Sequence, residues 1–251
     1  MSSSIWTRCA GASEIRPLRV VPWRVVEAQH QVSTRKLVAS AADQLLLERL
    51  IETVKPPDPT RGRLHYLLAT PFRYPPLRHG SRFAGRSERG IWYGAEDQRT
   101  AFAETAYYRL LFLEGTSAEL APLETQLTVF AAQVRARRAV DLTRPPFDAF
   151  RAALASKESY IETQALGADM RAAGVEAFRF VSARDVGGGS NIGVIDSGAF
   201  GRARPRNLET WHCTATPARV DMVKRDYFER VSFGFPRADF LVAGRLPAPA
   251  T

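Results

Sequence analysis

Cysteine and histidine are scarce: the 251 residues hold two cysteines and four histidines. Cys9 and Cys213 stand near opposite ends of the chain, and neither shares metal-ligand spacing with His30, His65, His79 or His212. That excludes a disulfide framework and a structural zinc site, fits a reducing compartment, and leads us to expect no metal. No apolar run reaches the roughly 18 residues of a spanning helix. The opening MSSSIWTRCAGASEIRPLR lacks the apolar core of a secretory signal, so a cytoplasmic protein without membrane contact is expected. Internal repeats and low-complexity tracts are also absent. No GxGxxG follows a strand and opens a helix, which removes the dinucleotide fingerprint of doubly wound folds.

What is present is ordinary globular material with an excess of arginine. Hydrophobic residues make up 45% and charged residues 24%, enough for a core, and the formal charge is +9 with a pI near 10.1. Such a balance suits a phosphate-bearing ligand, an acidic protein or a nucleic acid, or is simply solvated surface. The tightest cluster, Arg135, Arg137 and Arg138, is no basic block. No basic stripe with interleaved aromatics is visible, so direct nucleic-acid binding is not expected.

Along the chain, apolar residues recur from Ser33 to Val54 as an amphipathic stripe, with Ser33 as N-cap, until the prolines of KPPDPTRG end it. This predicts an N-terminal helical extension over residues 1–60, packed on a main domain of residues 61–251. LHYLLAT (64–70) reads as a strand ended by Pro71, and IWYGAE (91–96) as a buried strand leading into a helix at about 98–113. LETQLTVFAAQV and RAVDLT read as a strand pair, with a helix following across 159–173. VEAFRFVSA, NIGVIDSG, ETWHCTA and ARVDMVKR read as four strands, with Gly187, Gly188 and Gly189 marking a turn. Strands dominate the second half, which predicts an α+β fold.

Two features carry chemistry. The loop 71–90 holds Arg73, Arg78, Arg82, Arg86 and Arg89 among Tyr74, His79 and several glycines. Guanidinium forks bind phosphate oxygens and glycine lets backbone approach, so the loop can wrap a pyrophosphate or be a solvated basic loop. Downstream, Glu104 lies within the apolar helical run FAETAYY, and a carboxylate there needs a partner: a salt bridge or a functional one.

The strings FRYPP, HGSRF, GIWYGAE and TAFAE resemble the RES domain, named for an arginine, a glutamate and a serine. The resemblance spans roughly 65–235. It matches Arg82 to the family arginine, Glu104 to the glutamate and Ser190 to the serine, followed by Asn191. It also matches Arg73 and Tyr74 to an earlier arginine–tyrosine position and Tyr93 to the aromatic before the glutamate helix. What it implies is an ADP-ribosyltransferase-like fold and a toxin that consumes NAD, passing ADP-ribose to phosphate, water or a protein. It further implies an Xre-like antitoxin partner that covers the NAD pocket. The roles that follow are Glu104 stabilising the ribose cation, Tyr93 and Tyr74 stacking on nicotinamide, Arg82 and Arg73 fixing the phosphates, and Ser190 and Asn191 bonding the ribose or amide. Two rival readings stand beside it: a basic RNA-binding or RNA-targeting toxin without NAD chemistry, and a complex-forming subunit docking through residues 33–54.

Overall fold

The computed structural model describes residues 3–28, 38, 40–74, 80–118, 122–225 and 230–248. Ser33, Arg78 and His79 lie outside them. The elements in chain order are α1 (Ile5–Arg8), β1 (Arg16–Val20), β2 (Trp23–Glu27), α2 (Ala41–Val54), α3 (Tyr66–Arg73), β3 (Trp92–Ala95), α4 (Gln98–Glu114), β4 (Leu123–Ala131), β5 (Val134–Asp141), α5 (Arg151–Leu154), α6 (Ile161–Ala172), β6 (Ala177–Val181), β7 (Ser190–Val194), β8 (Arg206–Ala215), β9 (Arg219–Arg225) and β10 (Arg230–Pro236).

The strands form one mixed sheet in the order β1-β5-β6-β7-β3-β2-β4-β8-β9-β10. β5 and β6 run parallel and the remaining described ladders are antiparallel, so the fold is α+β with flanking helices. The sheet pinches between β3 and β2, where Trp23↔Ala95 is the single paired position. β2 is otherwise laddered to β4 along Trp23–Glu27, and β3 to β7 along Trp92–Ala95. A cleft lies at this pinch, lined from both β2 and β3.

Each half of the sheet, on either side of the pinch, has its own packing. Asp97 caps α4, its carboxylate accepting from the Thr100 amide at 2.8 Å. Phe102, Ala103, Ala106, Tyr107 and Leu110 then fall on one face of α4 and bury against Trp211, Val220, Met222 and Phe235 of β8–β10. In the other half, Leu166 and Met170 of α6 pack with Phe83, Phe178 and Phe180. A third cluster joins the two halves: Leu67, Leu68 and Phe72 of α3 pack with Trp92 of β3, Phe130 of β4 and Val134 of β5.

Several expectations change. LHYLLAT is not a strand: Tyr66–Arg73 is helical, capped by His65, whose Nδ1 accepts from the Leu67 amide. Burial at 67, 68 and 72 follows helical spacing, which a run this short cannot display in sequence. The two segments read as a strand pair are both strands but not neighbours, since β4 lies between β2 and β8, and β5 between β1 and β6. Residues 16–27, within the stretch read as a helical extension, supply β1 and β2. The helix there begins at Ala41 behind Ser40, whose hydroxyl oxygen accepts from the Asp43 amide. Its stripe does not pack: Leu45, Leu46, Leu50 and Val54 are all more than half exposed.

Candidate functional site

A cavity of about 300 Å³ occupies the cleft at the pinch. β2 lines it with Trp23, Arg24 and Val25, β3 with Tyr93, and α4 with Glu104 and Tyr108; Arg82, Tyr160, Phe180 and Asn191 close it. Four sequence-expected site residues therefore meet here: Arg82, Tyr93, Glu104 and Asn191.

Glu104 lies nearly two turns into α4, half-buried beside its core face, without an ion pair among the described residues. Its Oε1 instead accepts two neutral hydrogen bonds, from Ser182 Oγ and from Asn191 Nδ2, each at 2.7 Å. The salt-bridge alternative is thus not what holds it. Neutral donors fix the carboxylate without cancelling its charge, which is what a group that must stabilise a transient cation needs.

Tyr93 points back toward the 81–83 loop. Its hydroxyl shares a hydrogen bond with Ser81 Oγ at 2.9 Å and accepts from the Phe83 amide at 3.3 Å. Burial pushes its phenol up to about 12, so it stays protonated at neutral pH. Arg82 is held from the other side: its Nη1 donates to the carbonyls of Ser156 at 2.8 Å and Leu154 at 3.4 Å, and its guanidinium carbon lies 4.7 Å from the centre of the Tyr160 ring. The loop carrying Arg82 presses against α6 at Gly167, where a Cβ would lie 1.9 Å from the Phe83 carbonyl oxygen. Gly167→Ala is therefore expected to strain the loop by about 1–3 kcal/mol, lowering Tm by roughly 3–10 °C. An unchanged melting curve would show that the loop yields freely.

The remaining expected residues lie elsewhere. Arg73 donates from Nε to the Pro56 carbonyl, and neither it nor the half-exposed Tyr74 lines the cavity. Ser190 opens β7, where its carbonyl accepts from the Glu96 amide, and it too is absent from the lining. Ser182 is the serine that touches Glu104. Its hydroxyl oxygen also accepts from the amides of Arg184 and Asp185, both at 3.1 Å, so the serine is itself fixed. A second close approach keeps Asn191 near α4: a Cβ on Gly189 would fall 2.0 Å from Thr100 Oγ1.

Arg24 is the residue that sequence reasoning missed. Its Nη1 donates to the Tyr93 carbonyl at 2.6 Å, while its Nε is buried with no hydrogen-bond partner among the described residues. Burial lowers its pKa to about 10, which still leaves it cationic at neutral pH. A buried donor without an acceptor is costly unless a ligand supplies one. The cleft thus offers two guanidinium groups, an oriented carboxylate and aromatic walls. A larger groove of about 710 Å³ lies across β4, β8 and β9, lined by Glu27 and Glu124 as well as His212 and Arg230, and none of the sequence-expected site residues reaches it. Among the described residues no cluster of three or more His, Cys, Asp or Glu could hold a metal ion, and no helix is long and apolar enough to cross a membrane.

Comparison with protein families matches residues 58–216 to the model described as the RES domain. Comparison with curated protein sequences gives no match. Among solved structures, the chain is similar to one in the crystal structure of the M. tuberculosis MbcT–MbcA toxin–antitoxin complex, with a TM-score of 0.47 and 14% identity, covering 86% of this chain and 94% of that one.

Proposed function

Since this chain belongs to the RES domain family, we propose that it consumes NAD, breaking the nicotinamide–ribose bond as the toxin of a cytoplasmic toxin–antitoxin pair. The observation that carries this reading is Glu104: a carboxylate fixed by two neutral donors, in a cleft it shares with Arg24, Arg82 and Tyr93.

Breaking the C1′–N bond sends its electron pair onto nicotinamide and leaves an oxocarbenium-like ribose. The nicotinamide departs neutral, so no strong general acid is needed, and the barrier lies in the ribose cation. The Glu104 carboxylate stabilises that charge and orients the ribose hydroxyls. Arg24, with its unsatisfied Nε, takes a phosphate oxygen, and Arg82 flanks the same path. Tyr93 and Tyr108 confine the nicotinamide ring. At about 300 Å³ the cavity is at the small end of ligand pockets, which span roughly 300–1,000 Å³. It therefore takes the nicotinamide riboside end, with the adenosine end extending outward. In this account Arg73, Tyr74 and Ser190 leave the binding role that motif matching gave them, and Arg24 and Ser182 replace Arg73 and Ser190.

The acceptor is phosphate, water or a protein side chain, all of which share the cleavage step. The partner is an antitoxin, of the Xre-like type that the family implies, whose binding closes the cleft. Residues 61–251 supply Arg82, Tyr93, Glu104 and Asn191, and the first 60 supply β1, β2 and the Arg24 wall of the same site. Incubating the purified chain with NAD labelled in the adenosine half, with and without phosphate and cell lysate, separates the acceptors: the label ends in ADP-ribose-1″-phosphate, in ADP-ribose or on protein. Label that stays in NAD under all conditions would overturn the reading.

The serines give a sharper test. Ser182→Ala is expected to lower kcat about 10- to 100-fold by freeing the Glu104 carboxylate, whereas Ser190→Ala is expected to change it less than about threefold. The reverse ranking in steady-state nicotinamide release would return the role to Ser190.

A further inference from the structure

The chain folds so that arginines distant in sequence come together on one surface without an ion pair among the described residues. The main chain of His65 donates to the Ala203 carbonyl at 2.8 Å, which joins the segment carrying Arg63 to the one carrying Arg202 and Arg204. Arg204 is close enough to depress the His65 pKa, after burial, which is the larger cause. Gly201 lies against the next strand: its amide donates to the Gln133 carbonyl, and a Cβ on it would fall 2.9 Å from Arg135 Cδ. Arg135 in turn is paired directly across the sheet with Arg19. Arg206 continues the series at the start of β8. All six are exposed. No ion pair of the described residues engages any of them.

Two details say that this surface has a ligand. Like charges set directly opposite on neighbouring strands destabilise a sheet, so the Arg19↔Arg135 pair opposes folding unless an anion lies between them. Beside the arginines, Tyr66 is 48% exposed at the first position of α3, with its ring 4.5 Å from that of His65. Tyr66, the exposed member of a ring pair whose half-buried His65 caps α3, offers a stacking face for an unpaired base at the rim of a guanidinium field.

We propose that this surface binds single-stranded nucleic acid, the arginines of 19, 63, 135 and 202–206 taking backbone phosphates and Tyr66 with His65 taking a base. The footprint is invisible in the sequence because its parts come from β1, the 61–66 approach to α3, β5 and the 201–206 lead into β8. It is independent of the NAD reading: Arg206 is held in register with Ala131 of β4, whose other neighbour is Trp23 at the cleft, but none of the six arginines lines the cavity.

The test is fluorescence anisotropy with the full chain, without NAD, using a labelled single-stranded oligonucleotide of roughly 20 nucleotides over a salt series. With about −0.7 in log–log slope per phosphate contact, six contacts give a slope near −4. Arg202→Gln/Arg204→Gln is expected to weaken binding at least about tenfold and to flatten the slope by roughly 1.4. Arg151→Gln/Arg245→Gln, an equal charge change at exposed sites elsewhere, is expected to leave both nearly unchanged. Tyr66→Ala is expected to weaken binding at least about fivefold without altering the slope. Equal losses from the two double variants would overturn the proposal, as would equal affinity for a duplex of the same length. Displacement of the oligonucleotide by poly-glutamate at matched charge would overturn it in favour of an acidic protein. Nicotinamide release by Arg202→Gln/Arg204→Gln is expected to equal that of the unaltered chain, so failure of either reading is separable from failure of the other.

Discussion

Glu104→Gln is expected to lower kcat for nicotinamide release at least about a hundredfold while leaving KM within roughly a factor of three. The glutamine is isosteric, and its carbonyl oxygen can still accept from Ser182 Oγ and Asn191 Nδ2, so the cleft keeps its shape. What is removed is the negative charge, which acts on the ribose only as the C1′–N bond opens. A loss confined to kcat is the signature of an interaction made in the transition state, and a loss confined to KM would mean that Glu104 merely binds NAD. Thermal stability is expected to change little, because Glu104 has no described ion pair to lose. Steady-state kinetics together with a melting curve check both halves.

Removing residues 1–28 is expected to abolish folding. The stretch contains β2, which fills the sheet between β3 and β4 through five paired positions with β4. It also contains β1 on the far edge, and Ile5 of α1 with Cys9 just after it, both buried in the core around Phe83, Leu166 and Phe178. Without β2, Leu127 and Val129 of β4 sit on a raw sheet edge in the middle of the fold, and the wall holding Arg24 is gone. Losing two strands and part of a core exceeds the roughly 5–15 kcal/mol by which a domain is stable. The truncated chain is therefore expected to be recovered aggregated or without a cooperative thermal transition. A soluble monomer with an intact far-UV spectrum and a sharp transition would show that the sheet closes without these strands.

The candidate glutamate stands out in the sequence because a carboxylate inside FAETAYY demands a partner, but a salt bridge would serve equally, and its place in a site is legible only through the RES resemblance. Tyr93 and Arg82 were legible through the order of motifs around it. Ser182 was not, because VSARD and GGGSN both offer a serine near a turn, and only the crossing of β6 past α4 decides which one reaches Oε1. Arg24 was hidden for a similar reason. It precedes the motif-rich loop by a long stretch of chain, and its place beside Tyr93 depends on β2 entering between β3 and β4. β1 and β2 went unread because RPLRV and WRVVE are short, interrupted by proline and arginine, and framed by no hairpin turn. Helix α3 was misassigned because its apolar cluster covers barely two turns, too few to separate a helical period from a buried strand. Local chemistry was thus visible in the sequence, and long-range pairing was not.

The same contrast bears on charge. An excess of arginine spread along the chain looks like solvated surface, yet folding sorts it into distinct classes. Arg82 and Arg24 are committed to main-chain carbonyls around the cleft. Arg179 bridges Glu96 and Asp141. Arg19, Arg135, Arg202, Arg204 and Arg206 are exposed and in no ion pair among the described residues.

The most direct test of the central claim is a crystal structure of Glu104→Gln soaked with NAD, in which cleavage is slow enough to trap the intact dinucleotide. The account predicts the nicotinamide ribose at the position of residue 104, with the phosphates toward Arg24 and Arg82 and the adenosine end leaving the cleft. Density for NAD in the groove between β4, β8 and β9, or a dinucleotide whose ribose lies away from residue 104, would contradict it.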